Sequence, residues 1–239
     1  MGTFTGTTLI DLVSASILND ANNVRWSRAT LLQYLNLAQV QVVSVQAQAN
    51  SQYRTMQLAA GSRQSMQSDD MQLLAITRNM GADGQTPGDS IEMTDRAEMD
   101  AHLDSWTEPQ DGVTEIESYV ADDRVRAVYF VYPPVPANQD MWIEYISAVR
   151  PKDVAEEGDV ISLPDFYVMQ IMRWIIYMCL SLQMENPYSA NNALHHYQLF
   201  NTELGQEMNA VDIVNPSIVE KYSAGVAQSA PQPMGRPRG

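Results

Sequence analysis

The side chains able to build a catalytic or metal site are few in this chain: three histidines, one cysteine and an acidic run at 153–159. His195 and His196 are adjacent, and on a helix consecutive side chains point about 100 degrees apart, so they cannot share a metal as histidines four residues apart do. His102 is remote from both. Cys179 sits between Met178 and Leu180 in an apolar stretch, the setting of a small buried hydrophobe, and a lone cysteine supports neither an intrachain disulfide nor a cysteine-based zinc site. Asp153, Glu156, Glu157 and Asp159 offer oxygen ligands but not the alternating pattern of a calcium loop, and read as a solvated charged loop. There is no glycine-rich loop ending in Gly-Lys-Ser or Gly-Lys-Thr and no Gly-x-Ser-x-Gly elbow. No catalytic residue, metal or cofactor is assigned, and the chain does not read as an enzyme.

The 239 residues carry a formal net charge of −15. Phosphate neutralisation needs clustered Lys and Arg, so this composition argues against a general nucleic-acid binder, while an acidic wall would keep passing DNA from sticking. The charge is uneven: no acid follows Glu220, whereas Lys221, Arg236 and Arg238 remain. Residues 1–8 are polar, with neither the basic start nor the apolar run of a signal peptide, which points to folding in the cytoplasm.

These side chains must be held by elements that the periodicity predicts. Leu9, Leu12, Val13, Ile17 and Leu18 mark a first helix that runs out at 19–23. Ser27 caps a second helix, striped by Leu31, Leu35, Ala38, Val42 and Val45 and ending near Asn50. Strands are predicted at 53–58, 74–79, 90–94, 115–121, 126–132 and 141–149, with turns at Gly81-Ala82-Asp83-Gly84 and Asp122-Asp123-Arg124. Pro133, Pro134 and Pro136 read as a stiff loop after a strand, and Asp95 with Glu98 as a capping box opening a short helix to Asp104. A third helix is predicted from Asp165 to about Glu185, broken by Asn186-Pro187, and a fourth from a Ser189 cap to about Met208. The expected fold is α+β: a four-helix bundle core (1–50 and 163–212), a β-rich insertion (51–162) between the second and third long helices, and an extended C-terminal arm (213–239).

The third helix has hardly any polar face. A membrane span is disfavoured, because Arg173 at its centre costs about 2.5 to 3.5 kcal/mol even on the mildest insertion scale. In a four-helix bundle one face of each helix normally meets solvent, so burial by a neighbouring subunit is favoured over a wholly monomeric core, with Met169, Met172, Arg173, Trp174 and Ile176 as the expected subunit interface. Pro231, Pro233, Met234, Arg236, Pro237 and Arg238 suit a tethering arm: prolines reduce the entropy lost on docking and arginines pair with carboxylates.

Taken in order, a series of short matches resembles the head-to-tail adaptor (connector) family of tailed bacteriophages. They are Ile17-Leu18-Asn19-Asp20, Val24-Arg25-Trp26, Tyr34-Leu35-Asn36 with Ala38-Gln39, Ala60-Gly61 with Arg63-Gln64, and Arg78-Asn79 with Gly84, Gly88 and Ile91. Tyr129-Phe130-Val131-Tyr132-Pro133-Pro134, Leu163-Pro164-Asp165 with Tyr167, and His196-Tyr197 complete the series. The chain departs from the pattern at Met178-Cys179-Leu180 and beyond Gly205. The resemblance implies a virion protein of the neck, assembled in the host cytoplasm. About twelve copies would ring the underside of the portal, extending a channel through which DNA passes without sequence-specific binding. The arm would reach the portal protein, and Asp83, Gly84, Asp122 and Asp123 in the insertion would face tail or nozzle proteins. Two other readings stand beside it: another neck or tail-tube protein, or a ligand-binding β-module on a helical stalk using Trp106, Tyr129 and Trp142.

Overall fold

The computed structural model describes residues 2–103, 105–108, 110, 112–121, 125–183 and 186–214, with side chains to residue 205 of the last helix. Its helices are α1 (Gly6–Asp11), continued by a π-helical segment Leu12–Ile17, α2 (Arg28–Val45), α3 (Arg96–His102), α4 (Val168–Ser181) and α5 (Pro187–Val214). Its strands are β1 (Ser51–Gln57), β2 (Gly61–Ser65), β3 (Asp70–Met80), β4 (Pro87–Ser90), β5 (Glu92–Met93), β6 (Ser118–Ala121), β7 (Val128–Val135) and β8 (Trp142–Val149).

The α+β class is as expected, but the helical part is not a four-helix bundle. The segment taken as a first bundle helix is only six α-helical residues followed by a π turn. What remains is a layer of three long helices in which α4 packs on both α2 and α5. A central helix explains the missing polar face: Ile171, Ile175, Ile176 and Cys179 are fully buried in a core shared with Leu9, Leu31, Leu35, Val42 and Phe200. Ser27 caps α2 by accepting from the Thr30 amide, as the sequence predicts. Asn186 caps α5, accepting from the amide of Tyr188, so Asn186-Pro187 opens a helix three residues before the expected Ser189 cap.

Strands β1-β8-β3-β4 form one sheet and β2-β7-β6-β5 a second. Between them lie Ile76, Ile116, Tyr129, Val131, Ile143 and Tyr145, a β-sandwich core separate from the helical one. Pro133 and Pro134 lie within β7 and not in a loop after it. They occur where the β2 pairing shifts register, so neither sheet neighbour needs their absent amides. Register fixes the two ends of the sandwich. Asp70 faces Val149 at the end next to the helices, where Asn50 Nδ2 donates to the Val149 carbonyl, and Met80 faces Trp142 at the far end.

Six of the polar residues that carry the family resemblance are backbone clamps. Asn36 on α2 accepts from the Val154 amide and donates to the Val154 carbonyl (2.9 and 3.1 Å). Gln64 grips Ala59 in the same way (2.8 and 2.7 Å), and Asn79 grips Ile116 (2.9 and 2.7 Å). Gln39 accepts from the Ser162 amide, and Asp20 takes the amides of Val24, Arg25 and Trp26. Each clamp satisfies peptide groups in segments that have no strand or helix partner, which would otherwise be costly to bury. Asp165 does this for the N-terminal segment, accepting from the amides of Thr3 and Phe4 and from the Thr3 hydroxyl.

Candidate functional site

For a chain with no assigned chemistry the candidate sites are surfaces, and three can be located. The first is the α4–α5 flank. Of the five residues expected at a subunit interface, Ile176 and Met172 are buried in the chain's own core, while Arg173 is held in an ion pair with Glu203 at 3.3 Å. Trp174 packs on Tyr177, Tyr197 and Phe200 with ring centroids 5.2, 6.2 and 5.0 Å away, joining α4 to α5. Only Met169 is exposed; Phe166 before α4, Leu182 at its C-terminal end, and Tyr188 and Leu194 on α5 are also between 54% and 74% exposed. Hydrophobicity alone did not separate these residues from the core, because on a central helix both kinds are apolar.

The second surface is the opposite flank, where Leu12, Ile17, Leu37 and Val45 are exposed along α1, the π segment and α2, and Val24 is 87% exposed. Val24 lies in the loop that Asp20 ties down, so its apolar side chain is held out by a fixed backbone. The hydrogen bond from the Trp26 amide does most to hold the Asp20 carboxyl below the usual carboxylate range.

The third is the far tip of the sandwich. The carboxylate of Asp83 accepts from the amides of Gln85 and Thr86 and from the Thr86 hydroxyl, closing the 81–86 turn, and these bonds lower its pKa. Gly84 takes φ +66 and lies so close to the Trp142 ring that a Cβ there would come within 2.9 Å of it. Beside this turn runs a groove of about 500 Å³ walled by Trp142, Pro87 and Met141, with Glu115 and Asp140 along it. Ala121 and Val128 lie toward the other end of the sandwich, since Val128 pairs with Ser65; Asp122 and Asp123 lie outside the described residues. So does the whole expected arm, Pro231 to Arg238 included.

The three aromatics of the ligand-pocket reading go to three places. Trp142 walls the tip groove, Tyr129 is buried in the sandwich core with its hydroxyl on Met56 Sδ, and Trp106 packs edge-on against Phe130 beside α3. Among the described residues no cluster of His, Cys, Asp and Glu has the geometry to hold a metal. Burial pushes the Cys179 thiol up to about 12, which keeps it protonated and unreactive. His196 is shifted down by burial first, then by Arg173 and His195. Arg28, paired with Asp11 and Glu157 at 2.6 Å each, ties α2 to α1 and to the acidic loop, so that part of the loop's charge is structural.

Among the described residues no helix is long and apolar enough to cross a membrane. No curated protein matches the chain. A family model described as SU10 adaptor protein matches residues 5–221, a span that takes in every helix and strand of both layers. The chain therefore belongs to the SU10 adaptor protein family and is a structural adaptor of a phage virion.

Proposed function

We propose that this adaptor is a head-to-tail connector subunit: about twelve copies form a closed ring beneath the portal, extend its DNA channel and offer the tail or nozzle proteins a docking surface. The observation that carries this reading is the pair of exposed apolar flanks. They lie on different helices, α4–α5 and α1–α2, with the buried centre of α4 between them. Two unlike patches on one subunit make a head-to-tail contact, and such contacts close into rings when the rotation permits. The far tip, with its rigid Asp83–Gly84 turn and Trp142 groove, then serves as the tail-facing surface, and the arm at 213–239 reaches the portal. The net charge of −15 suits a channel that DNA crosses without adhering.

Charging one flank tests the ring directly. Phe166→Asp with Leu182→Asp alters two side chains that are 65% and 66% exposed, so the monomer stays folded. Each lost contact weakens association by about 1.5 to 3 kcal/mol. Native mass spectrometry of portal complexes should then show partly filled rings, and fully occupied rings would contradict the assignment of this flank.

A further inference from the structure

The groove at the far tip has an apolar wall of Trp142, Pro87 and Met141, and no lysine, arginine or histidine lines it. Its two carboxylates are differently committed. Asp140 accepts from Gln57 Nε2 at 2.6 Å through Oδ1, which leaves Oδ2 for a further donor. Glu115 is exposed, and its carboxylate has no hydrogen-bond or ion-pair partner among the described residues. Gly84 abuts the Trp142 ring without lining the groove, and the bonds from Asp83 that close the 81–86 turn hold that backing in place.

The charge around the groove says what fills it. Between 79 and 121 the sequence holds eleven Asp and Glu and a single basic residue, Arg96, so 10 of the 15 net negative charges fall in this stretch. It runs through the 81–86 turn, β4, β5 and α3 and returns to the groove at Thr114 and Glu115. All of its described carboxylate residues are exposed, and among them only Asp100 is in an ion pair, with Arg96 at 3.8 Å. The Glu92 amide bonds the Glu117 carbonyl at 3.1 Å, which sets two acidic residues side by side. Self-repulsion of this kind opposes the folded state, and a cationic partner relieves it.

An indole wall beside available carboxylates suits a guanidinium above other cations. The guanidinium stacks on the ring, takes a carboxylate with two parallel hydrogen bonds, and its stem covers apolar surface such as Pro87 and Met141. The groove's volume of about 500 Å³ lies in the range of small-ligand pockets, enough for one or two side chains of an extended segment. DNA has the wrong sign. The chain's own arm is a poor match in charge: residues 215–239 carry Lys221, Arg236 and Arg238 against Glu220, a net of +2 facing −10.

We propose that the Trp142 groove docks an arginine-bearing segment of the tail or nozzle protein, steered to it by the acidic surface around it. This rests on the reading of the tip as tail-facing and adds the chemistry of the partner that the tip selects.

The test titrates the full chain with fluorescein-labelled hexa-arginine and hexa-lysine at roughly 0.15 M salt, where charges more than about 8 Å apart are largely screened. Glu115→Gln with Asp140→Asn should weaken hexa-arginine binding at least about tenfold, whereas Asp153→Asn with Glu156→Gln, the same charge change in the loop beside the helices, should leave it within about twofold. Hexa-arginine should bind about fivefold tighter than hexa-lysine, a preference that Trp142→Leu should remove. If that variant does not fold by circular dichroism, the two surface pairs carry the test without it. Equal losses from the two charge pairs, or no preference for arginine in the unsubstituted chain, would overturn the proposal. So would binding that tightens about tenfold when 215–239 is deleted, because the arm would then be the occupant. Mass measurement on the portal reads the ring separately: the Glu115→Gln, Asp140→Asn chain should assemble as the unsubstituted chain does, and its failure to do so would make the groove a ring contact and overturn the proposal. An unsubstituted chain that never assembles would instead remove the reading beneath it, whatever the peptides show.

Discussion

Replacing Asp70 with leucine is expected to destabilise the chain by about 3 to 5 kcal/mol, a large share of the roughly 5 to 15 kcal/mol that holds a domain together. Asp70 is the first residue of β3, and its side chain has no solvent exposure. Its carboxylate accepts from Arg54 Nη1 at 2.7 Å, the Tyr145 hydroxyl at 2.8 Å, the Ser147 hydroxyl at 2.5 Å and the Gln67 amide at 3.2 Å. One side chain thereby joins β1, β3, β8 and the turn before β3, at the end of the sandwich that meets the helices. Leucine would leave two buried hydroxyls and a backbone amide without acceptors, and Arg54 with only Asp69 at 2.8 Å. Tyr145→Phe removes one donor and leaves the others satisfied, so its cost should be about 1 kcal/mol. The two substitutions share a partner and should not add. Urea denaturation of the single and double variants measures all three values, and a loss below about 1 kcal/mol for Asp70→Leu would show that the network is not a main support of the sandwich.

The second large effect concerns function. Deleting 225–239 removes Arg236, Arg238 and three prolines while sparing every described element. The deleted chain is expected to keep its melting temperature and to lose portal affinity by roughly a hundredfold, the loss that follows when one of two linked contacts is removed. If binding isotherms with the purified portal superimpose for the intact and shortened chains, the arm is not the tether.

The parts of this architecture legible in sequence were those fixed by local signals. α2 has a Ser27 cap and a regular stripe, and β8 and β7 have the Val, Ile and Tyr content of buried strands. β2 was missed because its inward residues are Ser62 and Gln64, polar groups that no alternation rule assigns to a core. Gln64 is buried for the sake of the Ala59 backbone, a tertiary reason invisible along the chain. The same applies to Asn36 and Asn79. Their places in the family pattern were readable, but their work as clamps on 154 and 116 was not, because each joins segments distant in sequence. The apolar third helix was read correctly as a helix and only partly as a surface. Three-helix packing, with α4 in the middle, buries what a four-helix bundle would have left exposed. Met169 was the one expected interface residue found on the exposed flank, and Phe166, Leu182, Tyr188 and Leu194 were recognised there only from the fold.

The aromatic seam between α4 and α5 and the clamps along α2 tie the described residues together, and their exposed apolar side chains include those on the α1–α2 and α4–α5 flanks. In the proposed ring such a subunit would gain association energy without refolding, the portal serving as the template that sets the number of copies.

The central claim, that this adaptor becomes a ring on the portal, is tested most directly by light-scattering mass of the purified chain alone and then mixed with its portal ring. The account predicts a monomer alone and, on mixing, a complex heavier than the portal by about twelve subunits, matching the portal's symmetry. A stable oligomer that ignores the portal, or a monomer that never joins it, would contradict the account.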